Sequence, residues 1–156
     1  MRNIVAKLVI GLAITSIALF GADNSIGTWK MNVAKSKTTP PSKNPTTSLT
    51  MVREASDGGV KVTLTGQLKD GTAINYSYTV KYDGREYPVA GANYDTISVK
   101  QIDANTFTLE RKKTGGKFHM TSRIVISKDG RTMTETRKGT NADGKPTTGT
   151  QIFEKQ

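Results

Sequence analysis

The chain has no cysteine, one histidine and one tryptophan in 156 residues. Without cysteine there are no disulfides, no thiolate metal sites and no cysteine nucleophile. A single histidine, His119, is too little for a transition-metal site, and no run of acids has the spacing of a calcium loop. Neither Gly-x-Ser-x-Gly, nor a Walker loop, nor His-Glu-x-x-His occurs. No Asp or Glu lies near His119 in sequence to orient it, and its parity places it on the wet face of a strand. The residues therefore read as a non-enzyme without cofactor or metal.

Acid is also scarce, with 13 Asp and Glu against 23 Lys and Arg, a net charge of +10. The cations are spread along the chain, with no block of five or six. They are read first as a solvated surface that discourages edge-to-edge association of strands, and second as attraction to a polyanion. Nucleic acid is not expected as a partner, because the aromatic residues follow the apolar parity and leave no stacking surface.

The first 22 residues differ from the rest. Arg2 and Lys7 precede an uncharged apolar run from Leu8 to Phe20, and Gly21 and Ala22 are small. This is the layout of a secretory signal peptide. The alternative is a retained anchor, but a helix of that length spans about 20 Å against roughly 30 Å of hydrocarbon. Two units are expected, a signal peptide over 1–22 and one domain over 23–156. The domain would then be periplasmic or secreted, monomeric and without a membrane span once the leader is removed.

After residue 23 the chain is regular. Asp57-Gly58, Asp70-Gly71, Asp83-Gly84, Asp129-Gly130 and Asp143-Gly144 are turn dipeptides, and Asp103-Ala104-Asn105 and Gly115-Gly116 add two more turns. Between them Val60, Val62 and Leu64 alternate with Lys61, Thr63 and Thr65, and Ile74, Tyr76, Tyr78, Val80 and Tyr82 alternate with polar residues. Period-two alternation rich in β-branched residues predicts strands with one buried face. Ten strands are expected, near 27–33, 47–54, 59–67, 72–82, 85–88, 94–102, 105–113, 117–127, 131–139 and 148–155. Residues 34–46, with three prolines, are expected as a loop. A meander of about 8–10 antiparallel strands predicts an all-β, up-and-down barrel. A Greek-key sandwich is the competitor and needs longer connections.

Gly27-Thr28-Trp29 in the first strand, with Gln151-Ile152-Phe153-Glu154-Lys155 in the last, resembles the calycins, the superfamily of lipocalins and fatty-acid-binding proteins. The resemblance covers the whole chain after the leader. It implies a lipocalin-like barrel that binds a small amphipathic or hydrophobic molecule, with Trp29 as a structural plug at the closed end. Where fatty-acid-binding proteins carry an Arg-x-Tyr carboxylate anchor, this chain has Gln151 and Phe153, and the proline-rich loop stands in place of their helical lid.

Three arginines continue an apolar parity: Arg53, Arg111 and Arg137. A buried unpaired guanidinium is costly, so each must reach a mouth, pair with an acid or meet an anion. Strand direction sends Arg111 and Arg137 to the end bearing the longest loops and Arg53 to the other. The candidate ligand-binding residues are Arg111, Arg137 and Tyr78 around an anionic head, with Tyr76 and Phe118 in the wall. The bland reading pairs Arg137 with Glu135. A filled-core barrel that binds an envelope polymer or protein through its basic surface is the alternative function.

Overall fold

A computed structural model describes residues 23–156, so the expected leader lies outside the described residues. Eleven strands follow in order: β1 Gly27–Met31, β2 Lys37–Thr39, β3 Thr46–Ser56, β4 Gly59–Leu68, β5 Ala73–Lys81, β6 Asp83–Pro88, β7 Thr96–Asp103, β8 Thr106–Lys112, β9 His119–Ile126, β10 Thr132–Thr140 and β11 Pro146–Lys155. They form one antiparallel sheet in the order β5-β4-β3-β1-β11-β10-β9-β8-β7-β6, with β2 added on β11. Along this path β1 joins β3 on one side and β11 on the other, where the sheet turns back on itself, and between β5 and β6 no ladder forms. The result is an up-and-down barrel, nearly closed, with a seam between β5 and β6.

The alternation expected from the sequence is the alternation observed. Val60, Val62, Val80, Ile97, Phe107, Ile124, Met133 and Phe153 are all 2 % exposed or less. Thr79, Lys81, Lys100, Arg123 and Thr136 face outward and are exposed. The β3–β4 hairpin shows how the turns work: Ser56 pairs with Gly59, leaving Asp57 and Gly58 as a two-residue loop. Gly58 has φ +66°, which a residue without Cβ adopts at no steric cost. The turn aspartates divide. Asp70, Asp83 and Asp129 accept the backbone N–H two residues on, at 2.9, 2.9 and 3.1 Å. Asp57 instead pairs with Lys81 Nζ at 3.0 Å, and the turn at Asp143 is capped from Asn141.

Most strand ends differ from expectation by one or two residues, and two departures change the course of the chain. The segment 34–46 is not wholly loop: Lys37–Thr39 pairs with Thr148–Thr150, so β1 and β2 follow one another along β11. The prolines at 40, 41 and 45 all come after this pairing ends. Tyr94 lies ahead of β7 rather than within it, because the loop after Pro88 runs to Asp95 before the ladder resumes at Thr96.

The end of the barrel opposite the long loops is sealed. Trp29 is fully buried and donates from Nε1 to the Ser25 carbonyl at 2.8 Å. The Lys155 ammonium lies 5.2 Å from the indole centre, a cation–π contact. Gly27 makes that placement possible, since a Cβ built there would stand 2.7 Å from Lys155 Cε, and its φ of +132° is one L side chains rarely adopt. Gly-x-Trp thus has a local physical reason. Asp23 accepts from the Tyr82 hydroxyl and Asn24 donates to Asn105, which ties the segment before β1 across this end. Gly27→Ala is expected to destabilise the chain by about 1–2 kcal/mol, through φ strain and a displaced Lys155. A urea titration reads this as a lower midpoint at unchanged slope.

Candidate functional site

The inward face divides into two halves. Near the sealed end it is packed tight, from Trp29 to Phe153. In the other half Met31, Leu64, Ile74, Tyr76, Phe118, Arg137 and Gln151 also point inward, yet all are only half-buried. These inward side chains keep solvent contact, so water reaches the inward face at this end of the barrel.

Polar groups sit at the boundary between the halves. Arg111 lies on β8, Ser122 on β9 and Glu135 on β10, and all three face inward. Arg111 Nη1 donates to Glu135 Oε1 at 2.6 Å and to Ser122 Oγ at 3.0 Å. The side chains of this ion pair are 14 % and 6 % exposed. Burial alone pushes the Glu135 carboxyl up, but the charge and hydrogen bond of Arg111 outweigh it and hold the group below the usual carboxylate range. Arg111 also stands 5.8 Å from the Tyr94 ring centre.

Glu135 therefore pairs with Arg111, not with its strand neighbour Arg137. Side chains two apart on a strand share a face, but Arg111 reaches Glu135 diagonally across β9. Arg137 is left with one hydrogen bond, from Nη2 to Thr38 Oγ1 on β2 at 3.2 Å, and no ion pair among the described residues. Gly149 leaves room for it: a Cβ there would sit 3.1 Å from Arg137 Nε. Burial lowers the Arg137 pKa, so its charge is held at a cost that an incoming anion would relieve.

The aromatic lining is built around Tyr94, which the sequence reading did not single out. Its ring stacks on Phe118 at 6.0 Å and meets Tyr76 edge-on at 6.1 Å, and its hydroxyl lies 3.3 Å from that of Tyr76. The loop carrying Tyr94 reaches β5, since a Cβ on Gly91 would stand 3.2 Å from Tyr76 Cβ. It therefore bridges the seam at the open end. Tyr78 is 8 % exposed and makes no hydrogen bond among the described residues. No sealed polar side-chain atom among them lacks a partner, so its hydroxyl keeps some contact with water. Burial drives the pKa of this phenol up, which keeps it a neutral donor.

Arg111, Arg137, Tyr76, Tyr78 and Phe118 thus converge on the inward face. Arg53 is separate, at the sealed end. It is 3 % exposed, donates from Nε to Ser25 Oγ at 3.2 Å and lies 5.9 Å from the Phe107 ring centre. A mouth, an acid and an anion were the three expected ways to satisfy it, and it uses an aromatic face and a hydroxyl instead. His119 is on the outside as expected, though the ladder brings Glu110 Oε1 within 2.6 Å of Nε2.

No protein-family model matches the chain, and no curated protein matches it in sequence. Solved structures do match in shape. The designed barrel EF1p2_mFAP2b bound to DFHBI is 9 % identical, with a TM-score of 0.54 over 88 % of this chain and 98 % of that one. The S-type phycobiliprotein lyase CPES from Guillardia theta is 11 % identical, with a TM-score of 0.56 over 85 % and 89 %. A point mutant of the fluorescent protein UnaG is 14 % identical, with a TM-score of 0.51 over 85 % and 96 %. At these identities the likeness is one of fold alone, an antiparallel β-barrel.

Proposed function

We propose that the chain is an exported binding protein rather than an enzyme. In this reading it is released from its leader at or next to Ala22 into the periplasm or the medium, and it carries one small amphipathic molecule in the open half of the barrel. The carrying observation is the set of inward side chains that stay half-exposed there. The apolar body lies against Leu64, Ile74, Tyr76 and Phe118. An acidic head meets Arg137 and the Tyr78 hydroxyl, while Arg111, already neutralised by Glu135, shapes the floor. That a barrel of similar shape, mFAP2b, holds DFHBI supports the capacity of such a fold for a small molecule.

Two variants test this. Leu64→Trp fills the open half from β4 and is expected to abolish uptake of fluorescent fatty acids, retinoids and aromatic anions without unfolding the chain. Arg137→Met is expected to weaken acidic probes about tenfold or more, the scale of one hydrogen bond to a charged group, and to spare neutral ones. Because Arg137 is held charged at a cost, its removal should leave the ligand-free protein as stable or slightly more so. Equal binding of acidic probes by wild type and Arg137→Met removes this residue from the site.

A further inference from the structure

A concavity of about 1090 Å³ lies on the outer face of the sheet. Its floor is two complete cross-strand rows that run from β2 to β7. One row reads Lys37, Thr150, Thr136, Arg123, Thr108, Lys100, each residue paired with the next. The parallel row reads Thr39, Thr148, Lys138, Thr121, Glu110, Ser98. All of these residues line the concavity. It is therefore a groove that crosses the strands from β2 to β7, about 24 Å long at the usual strand spacing.

Charge within it is one-sided. None of Lys37, Lys100, Arg123 and Lys138 forms an ion pair among the described residues, so all four charges are open to an incoming anion. The one acid among the floor residues, Glu110, is already held by His119 at 2.6 Å and Lys112 at 3.3 Å. Asp83, beside Lys100 at the far end, accepts from Tyr87 and the Arg85 amide. Of the floor threonines, only Thr121 commits its hydroxyl, to the Lys138 carbonyl. The rest offer a hydroxyl and a methyl each.

We propose that this groove binds a linear acidic polysaccharide. Threonine hydroxyls and methyls suit the hydroxyls and C–H faces of sugar rings, and the free cations suit their carboxylates. Along the first row the cations stand about 14 and 10 Å apart by strand count, with threonine hydroxyls between them, which suits a polymer that offers hydroxyls as well as charges. No aromatic ring lines the groove to stack on a base. Arg137, which lies between the two rows, also lines this concavity, but its side chain points to the opposite face of the sheet from the rows, so the groove and the pocket proposed for the small ligand are tested by different residues.

The test uses polygalacturonate as the probe, with neutral dextran and a short DNA duplex as competitors. The variant K37Q/K100Q/R123Q should lose affinity for polygalacturonate about tenfold or more, as three exposed ion contacts imply. K43Q/K69Q/K128Q removes the same charge from elsewhere on the surface and should change affinity less than about twofold. Both variants should keep the wild-type unfolding midpoint. Equal loss in the two variants, displacement by DNA at equal charge, or no binding of polygalacturonate by wild type in low salt would each overturn the proposal.

Discussion

Glu135→Gln should cost the fold about 3–5 kcal/mol, because it leaves Arg111 charged and buried without its partner. The amide keeps the shape and loses the charge, so the loss reports the pair and not a cavity. Replacing both partners, as Arg111→Met with Glu135→Leu, should recover most of that stability, since apolar groups of similar volume need no partner. The pair also fixes an acid response. The folded-state pKa of Glu135 lies below its ordinary value. Its contribution is therefore present in full above about pH 4.3, the unfolded value, and is lost as pH falls through the folded one. Urea unfolding at a series of pH values should show the difference between wild type and Glu135→Gln shrinking below about pH 4. A difference that stays constant through the whole acid range would show that the carboxylate is not held by charge.

Trp29→Ala should be comparably damaging, at about 3–5 kcal/mol, and for a different reason. Trp29 fills the sealed end with no exposure, so its removal opens a cavity, strands the Ser25 carbonyl and leaves Lys155 without its aromatic face. Trp29→Phe keeps part of the volume and should lose less. Uptake of small probes should survive in whatever fraction remains folded, because the plug lies at the far end from the open half. If probe affinity per folded molecule fell as steeply as stability, Trp29 would belong to the binding site and not to the seal.

The barrel was legible because two independent signals agree along the chain. Period-two alternation sets which face is buried, and Asp-Gly turns set where direction reverses. What escaped were features in which one strand depends on a partner far away in sequence. β2 has no apolar pattern of its own and exists because the chain past β1 stays beside β11. The β5–β6 seam escaped as well, since Asp83-Gly84 has the composition of a hairpin turn, yet Asp83 already pairs with Lys100 on β7. In the site, charges on an apolar parity pointed correctly to the interior for Arg111 and Arg137. Parity cannot say which arginine takes Glu135, because the pairing skips β9. Tyr94 left no periodic trace, as it sits in a loop where alternation has lapsed. The proposed leader, and with it export, falls on residues 1–22, outside the described residues.

The central claim is that the open half of the barrel holds a small molecule, and native mass spectrometry of the chain purified from its own host tests it most directly. The wild type should retain a single added mass, or bind one member of the fatty-acid, retinoid and aromatic-anion panel one-to-one with a Kd below about 10 μM. Leu64→Trp should fly without added mass at the same charge-state distribution, and the same probe should fail to bind it. Identical adducts on both proteins, or a wild type that carries nothing and binds no probe, would contradict the account.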